Sequence, residues 1–303
     1  MTICNRTFVI VRGECLMSDK FVLMTDDSCD LPREFLEEQG IPTLCLSYII
    51  DDVQYKANEL PLEQFYALLR SGKTSATAQV NVDEARSLFE SFFKQGLDVF
   101  YIAFSSGLSG TCSSAQVAAK SLVSDYPDRR AVVIDSLAAS MGQGLLVYKA
   151  NELYRAGATI DELFKFIEDT RDFVAHSFTV DDLMHLHRGG RVSKASAIAG
   201  SMLGIKPVLH LNNEGKLINI DKVRGRKAAL QRIVDNALKW CEGTKNDMFM
   251  ISHGDCLNDA EYVAELLKKR TGISKYMINF VGPVIGSHSG PGTVALFMLG
   301  GKI

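Results

Sequence analysis

The chain has 303 residues, of which 47% are hydrophobic and 23% are charged, and its formal net charge is −3 at pH 7. This is the composition of an ordinary globular protein, and the slight acidity disfavours general nucleic-acid binding, which requires an excess of basic residues. No run of about 18 apolar residues occurs, so we expect no transmembrane helix and no stable membrane insertion. The length fits two domains of average size.

The seven cysteines are scattered, their number is odd, and no pair has C-x-x-C spacing. This pattern does not support a zinc ribbon or a thioredoxin-like redox centre. No H-E-x-x-H motif is present, which also disfavours a metal site. We therefore expect a cytoplasmic protein with reduced thiols and with neither a metal nor another cofactor.

The N-terminus carries a short apolar run, Phe8–Val11, that is too short for the hydrophobic core of a signal peptide. A sequence typical of a first strand follows Met17. We therefore predict that residues 1–16 are an extension whose removal leaves stability and activity unchanged.

The first half alternates short apolar runs with segments of helical periodicity. Asp30 is suited to cap a helix that ends at Gly40, and the polar stretch 71–79 is typical of a loop. Alternation of continuous apolar strands with helices predicts a parallel sheet covered on both faces. The predicted strands are 21–24, 43–50, 99–104 and 131–134, and the predicted helices include 62–69, 82–93, 109–123, 141–155 and 160–173.

The second half has a different pattern, in which β-rich segments are mixed with helices. The stretch 209–217 resembles a hairpin whose turn is Asn213-Glu-Gly215, which implies antiparallel pairing. We therefore predict an α/β protein with two domains. Residues 17–175 form an α/β/α domain with a parallel sheet, and residues 176–303 form an α/β domain with a mixed, partly antiparallel sheet.

A Ser/Gly-rich segment, Ser105–Thr111, follows an apolar strand and opens a helix. The N–H groups at a helix start favour an anion, and glycines such as Gly107 allow close approach of a ligand, while Ser105 and Ser106 add hydroxyl donors. A capped helix with no ligand explains the same pattern. No P-loop and no G-x-G-x-x-G motif is present, and the spacing of the glycines around Ser109 does not match a nucleophile elbow.

Three further segments are candidates for a site, although each is also typical of a solvated turn. The first is hydroxyl-rich, Lys73–Thr77, and the second is the Gly/Pro-rich loop 282–292, in which His288 can bind a carboxylate or act as a base. The third consists of two basic clusters, 185–191 and 222–227, which suit an acidic partner or a phosphate.

Seven motifs, taken in order, resemble the DegV-like family of bacterial fatty-acid-binding proteins that serve a fatty acid kinase. The resemblance extends from Thr25 to the C-terminus. Its motifs are 25–32, Lys73-Thr-Ser75, Ser105–Thr111, Asp135-Ser136 with Met141-Gly142, Arg188-Gly-Gly-Arg191, Gly204-Ile-Lys-Pro207 and Gly286–Gly292.

The resemblance implies two α/β domains that bury the acyl chain of a long-chain fatty acid. It implies that Thr74 and Ser106 hold the carboxylate, near His288, with Ser75, Ser105 and Gly107 in the same segments. The residues Ala76–Ala78 replace the family's proline after the Thr-Ser pair, so Ser75 stays an alternative to Thr74.

The family's kinase-contacting positions match Arg191 and Arg224, with Arg226 as an alternative in the Arg-Gly-Arg repeat. The implied function is to present the carboxylate to a kinase resembling dihydroxyacetone kinase, which forms an acyl phosphate for phospholipid synthesis. The protein itself is then not an enzyme. Two alternatives are an acyl transferase or esterase that uses Ser106 and His288, and a lipid carrier or sensor without a kinase.

Overall fold

The computed structural model describes residues 8–11, 20–193 and 204–300. Residues 1–7 and 12–19 lie outside the described residues, so only Phe8–Val11 of the predicted extension 1–16 is described, and the effect of removing the extension stays a prediction. The strands are β1 (Phe8–Val11), β2 (Phe21–Asp26), β3 (Thr43–Leu44), β4 (Ser47–Ile50), β5 (Val53–Lys56), β6 (Ser75–Ala78), β7 (Asp98–Ala103), β8 (Ala131–Asp135), β9 (Val174–Thr179), β10 (Ile205–Leu211), β11 (Leu217–Arg224), β12 (Met248–His253), β13 (Lys275–Phe280) and β14 (Val294–Leu299).

Helices connect most of these strands. They are α1 (Arg33–Gln39), α2 (Leu62–Arg70), α3 (Val82–Phe93), α4 (Thr111–Asp125), α5 (Met141–Arg155), α6 (Ile160–Thr170), α7 (Leu183–Arg188), α8 (Arg226–Trp240), α9 (Leu257–Thr271) and α10 (Pro283–Ser289). None of the helices in the described ranges is long and apolar enough to cross a membrane.

The first sheet has the strand order β1-β8-β7-β2-β3. Strands β8, β7, β2 and β3 are parallel, as predicted, and β1 pairs antiparallel with β8 at the edge. Helices α3 and α4 pack on one face and α5 and α6 on the other. Every residue of β2, β7 and β8 is buried, which explains why these strands appear in the sequence as continuous apolar runs.

The second sheet has the order β11-β10-β9-β14-β12-β13 and is antiparallel except for the pair β12 and β13. Helices α8 and α9 pack against this sheet, and the start of α5 contacts β9, β12 and β14. The predicted hairpin is present, with Leu211 opposite Leu217. The mixed α/β fold class is thus confirmed.

One apolar cluster joins the two sheets. It includes Phe21 and Phe100 from the first sheet and Phe178, Leu209 and Phe297 from the second. The predicted domain boundary between residues 175 and 176 falls within β9, and it stays a prediction.

The structure corrects three local predictions. Residues 71–79 are not all loop, because β6 pairs with β4 in a small antiparallel sheet of order β5-β4-β6. The Gly/Pro-rich segment 282–292 contains helix α10, in which Pro283 occupies the first turn, where its missing N–H costs nothing. Asp30 does not cap α1, whose N-cap is Pro32 without a side-chain bond.

Candidate ligand-binding site

A largely apolar cavity lies where the second sheet, the start of α5, α7, α10 and the small sheet meet. The space in it, counted together with the part open to solvent, is about 950 Å³. Its apolar lining comprises Leu46, Phe104, Leu108, Ala139, Phe178, Leu186, Leu211, Leu217, Val281, Val284, Ile285, Ala295 and Phe297.

Strand β6 brings hydroxyl groups to helix α10. Side chains two residues apart on a strand share a face, so Ser75 and Thr77 project to the same side. Ser75 Oγ lies 2.7 Å from Ser287 Oγ, and Thr77 Oγ1 lies 2.8 Å from His288 Nε2. Thr77 lines the cavity together with His288. Thr74 precedes the strand and is exposed.

His288 is held as a neutral ring at the cavity wall. Burial, reinforced by the positive charge of Arg191, lowers the pKa of His288 to about 4. Its Nδ1 atom lies against Gly189, where an added Cβ would come within 1.9 Å of it. The close approach of α7 and α10 therefore depends on a glycine at position 189.

Arg191 is a half-buried cation at the cavity mouth. Its Nη2 and Nε atoms donate to Leu108 O at 2.9 and 3.2 Å, and Nη1 donates to Gly189 O. Burial lowers the pKa of Arg191 from its usual value. Within the described residues, these backbone carbonyl oxygens are its only hydrogen-bond acceptors, so the guanidinium is not neutralised by a carboxylate. We call Thr77, Arg191 and His288 the head-group cluster.

A shallower cleft continues outward from this mouth. Leu108, Ser109, Gly110, Arg191 and Leu217 line both the cavity and the cleft. The cleft is also lined by Ser106 and Gly107 from the predicted anion-binding segment, and by Gly190 and Lys216.

Ser105 serves the structure of this segment rather than the cavity surface. It is buried, its Oγ donates to Gly215 O at 2.9 Å, and it accepts from the N–H of Gly107 at 3.2 Å. The backbone N–H of Ser106 donates to Asp135 Oδ1 at 3.2 Å. The segment is thus fixed, and it presents Ser106 and Gly107 to the outer cleft.

The two arginines of the Arg-Gly-Arg repeat differ in environment. Arg226 is half-buried and its Nε atom lies 2.8 Å from Asp259 Oδ2, with Asp181 close to its Nη1. Arg224 is exposed at the end of β11, and no ion pair involves it in the described part of the chain. The geometry leaves Arg224 available to a partner and gives Arg226 a structural role.

The structure therefore brings His288 and Arg191 together in the cavity and places Ser106 and Gly107 in the cleft beside them. Sequence reasoning missed Thr77, which was included only as part of a hydroxyl-rich loop. Strand alternation is the signal that could have found it, because Ser75 and Thr77 then share one face and Thr74 faces away.

A second polar group of residues lies on the inner wall of the cavity. Ser140 Oγ donates to Asp30 Oδ2 at 2.5 Å and lies 2.8 Å from Ser252 Oγ. The N–H of Gly282 donates to Asp30 Oδ1 at 2.9 Å. Ser140 and Ser252 line the cavity, and all three side chains are buried. We call Asp30, Ser140 and Ser252 the inner cluster.

These features define an α/β protein whose apolar cavity opens at a polar, cationic mouth. A family model described as "Uncharacterised protein, DegV family" matches residues 20–300. The chain belongs to the DegV family, which confirms the resemblance of its motifs.

Relatives match over nearly the whole chain. A DegV domain-containing protein of Clostridium perfringens is 41% identical over 284 residues, which cover 93% of this chain and 98% of the relative. A solved structure of a fatty acid binding DegV family protein from Streptococcus agalactiae is 32% identical, with a TM-score of 0.82, and the match covers 93% of this chain and 99% of that one. The structure of DegV, a fatty acid binding protein from Bacillus subtilis, is 30% identical, with a TM-score of 0.81 and coverage of 93% and 100%.

Proposed function

We propose that this protein binds a long-chain fatty acid with the acyl chain in the cavity and the carboxylate at the head-group cluster. Relatives of similar fold are described as fatty-acid-binding proteins, and the cavity has the apolar lining that such a ligand requires. Burial of each CH₂ group contributes about 0.8 kcal/mol, so the tail supplies most of the affinity.

The observation that carries the proposal is the guanidinium of Arg191, which lies at the mouth with only backbone carbonyl oxygens as acceptors in the described residues. A charge-assisted bond to a carboxylate is stronger than a bond to a neutral carbonyl. Thr77 and the neutral ring of His288 complete the site, and no carboxylate lines the cavity in the described part of the chain. The hydroxyl of Ser106, beside Gly107 in the outer cleft, contributes a donor where the head group meets solvent.

The proposed cellular role is to present this carboxylate to a fatty acid kinase resembling dihydroxyacetone kinase. The kinase transfers the phosphoryl group, so for this step the protein is a cytoplasmic carrier and not an enzyme, and the acyl phosphate enters phospholipid synthesis. Exposure of Arg224 near one edge of the second sheet supports a docking role for this residue, whereas the ion pairs of Arg226 argue against one.

The alternative esterase function receives little support from the residues first considered. Ser106 lies in the outer cleft, and the Nε2 atom of His288 is engaged by Thr77. A hydrogen bond between nucleophile and base, which that mechanism requires, is therefore not formed between these two residues.

The test is denaturing extraction of the purified protein followed by mass spectrometry. We expect about one long-chain fatty acid per chain, and a protein that purifies and refolds without retaining added fatty acid would contradict the proposal.

A second assay, with and without a purified fatty acid kinase, distinguishes a protein that presents fatty acid to the kinase from a plain carrier or sensor. We expect acyl phosphate only when both proteins are present.

A further inference from the structure

Ser140 lies in the connection between β8 and α5 and has a strained backbone. Its φ of 53° and ψ of −145° are rare for a residue other than glycine. Serine at a helix N-cap ordinarily accepts a bond from the helix backbone, yet the Ser140 side chain makes no such bond. The backbone strain and the unused capping position together indicate that the hydroxyl is directed elsewhere.

Small residues flank this serine. Ala138 and Gly142 stand two positions before and after it, so the sequence 138–142 follows the small-x-Ser-x-small pattern of a strand-to-helix nucleophile elbow. An added Cβ at Gly142 would lie 2.3 Å from His176 Nε2, so the start of α5 packs directly against the side chain of His176. Met141, the residue after Ser140, begins α5, and the first N–H groups of a helix have no acceptor within it. The N–H of Gly142 donates to Ala139 O, so the N–H of Met141 is the candidate to face a developing oxyanion.

The hydroxyl of Ser140 is directed at a buried carboxyl group. It donates to Asp30 Oδ2 at 2.5 Å, while the N–H of Gly282 fixes Oδ1 of the same carboxyl. Burial raises the pKa of Asp30 to about 7, and the neighbouring charge of Asp26 acts in the same direction. A carboxylate with a raised pKa is a stronger base than an ordinary aspartate.

The same serine also lines the cavity. Ser140 and Ser252 both form part of the cavity wall, so an acyl compound in the cavity lies next to the serine. The arrangement therefore combines a nucleophile, a base and an acyl-binding cavity.

We propose that Ser140 is a nucleophile for acyl transfer from activated acyl compounds, with Asp30 as its general base. The Ser140 oxygen forms a bond to the acyl carbon as the bond from that carbon to the leaving group breaks. The proton of the hydroxyl passes to Asp30, which returns it to the leaving group as that group departs with the bonding electron pair. Water then attacks the acyl-serine and gives a proton to Asp30. The bond from the acyl carbon to the Ser140 oxygen breaks, and Asp30 returns the proton to that oxygen, which releases the free acid and restores Ser140.

This inference rests on the proposed function only in its assumption that the cavity admits an acyl chain. Fatty acid retention and covalent acylation are measured separately, so the two can fail independently. A protein that retains fatty acid but never forms an adduct refutes the inference alone, and one that forms the adduct without retaining free fatty acid refutes the proposed function alone.

The experiment treats the full-length wild-type protein with dodecyl fluorophosphonate and, separately, with p-nitrophenyl laurate. We expect one covalent adduct per chain, located on Ser140 by peptide mass spectrometry, and a burst of p-nitrophenol close to one equivalent. An unmodified folded protein, or an adduct on another residue such as Ser106, would overturn the proposal.

Two variants test the roles without relying on a misfolded protein. Ser140→Gly suits the positive φ, so we expect a folded protein that forms no adduct. Asp30→Asn keeps an acceptor for the N–H of Gly282, and we expect acylation to slow at least 100-fold. Ser124→Ala, at an exposed position of α4 that does not line the cavity, is the control and should acylate at the wild-type rate. An unchanged rate in Asp30→Asn would refute its role as the base.

Discussion

The mouth of the cavity and its inner wall carry polar groups of opposite character. The head-group cluster is partly exposed and combines one cation, Arg191, with neutral groups. The inner cluster is buried and contains the acid Asp30 with two hydroxyls. A carboxylate is attracted to the first cluster and repelled from the second, whereas a neutral acyl carbonyl is not repelled from either. We infer that this difference sets the direction of the ligand, with the carboxylate at the mouth and the chain inward.

The largest expected effect is on the free energy of unfolding, which the buried carboxyl of Asp30 in the inner cluster lowers at neutral pH. Folding raises the pKa of Asp30 from 3.8 to about 7, so between about pH 4 and pH 7 the folded protein holds a proton that the unfolded chain releases. The free energy of unfolding is therefore highest, as far as Asp30 is concerned, below about pH 4, and it falls as the pH rises to about 7. At 1.36 kcal/mol per pKa unit, Asp30 lowers the free energy of unfolding by up to roughly 4 kcal/mol over this range.

We therefore expect Asp30→Asn to raise the free energy of unfolding at pH 8 and to flatten its decline between pH 4 and pH 7. Urea unfolding at several pH values measures both effects. Asp52→Asn, in the exposed turn between β4 and β5, is the matched control and should leave the profile unchanged. If the Asp30 variant showed the wild-type slope, the carboxyl would not titrate as inferred.

The next effect concerns the cation at the mouth. Arg191→Ala removes the group that we propose to bind the carboxylate, and a bond to a charged group contributes about 1.5–3 kcal/mol. We expect the dissociation constant for a long-chain fatty acid to rise roughly 10- to 100-fold, and kinase turnover to fall with it. Titration with a fluorescent fatty acid measures the first quantity.

Arg224→Ala is the matched control for this variant, because Arg224 is exposed and does not line the cavity. We expect it to lower kinase turnover while fatty acid affinity stays at the wild-type value. If Arg191→Ala bound fatty acid with normal affinity but lost kinase turnover, Arg191 would contact the kinase and would not bind the carboxylate.

Local patterns predicted the elements that are fixed by nearby residues. Helix α3 has the predicted bounds, Val82–Phe93, because Asn81 and Glu84 form a capping box and the apolar residues recur at helical spacing. The parallel strands β2, β7 and β8 were equally clear, since they are buried on both faces. The predicted strand 43–50 is instead divided between β3 and β4, which lie in different sheets.

The site depends on contacts between distant parts of the chain and was less predictable. Thr77 and His288 are 211 positions apart, and β6 becomes a strand only by pairing with β4. Asp30 was expected to cap a helix, but it contacts Ser140 and Gly282, which no local pattern indicates. Sequence reasoning thus found His288 and Arg191, which line the cavity, and missed Thr77 and the contact of Asp30 with Ser140.

A smaller effect distinguishes the residues of the hydroxyl-rich segment. Thr77→Ala removes one neutral hydroxyl from the head-group cluster, which should weaken fatty acid binding about fivefold, since a neutral hydrogen bond contributes about 1 kcal/mol. Thr74→Ala, three residues earlier and exposed, should bind like the wild type. The same fluorescent titration compares the two, and the reverse order of effects would restore Thr74 as the carboxylate ligand.

The smallest effect is expected at His288, because its ring is neutral at pH 7 and adds no charge to the carboxylate site. Its pKa of about 4 in the ligand-free protein keeps the ring neutral above about pH 5, because it is buried and faces Arg191. Glutamine can replace a neutral donor or acceptor, so we expect His288→Gln to change the dissociation constant by roughly threefold or less at pH 7. A pH titration of the ring by NMR in the ligand-free protein measures the pKa directly. A pKa near 6.5, or a loss of affinity as large as that of Arg191→Ala, would mean that the mouth holds its ligand with two cations instead of one.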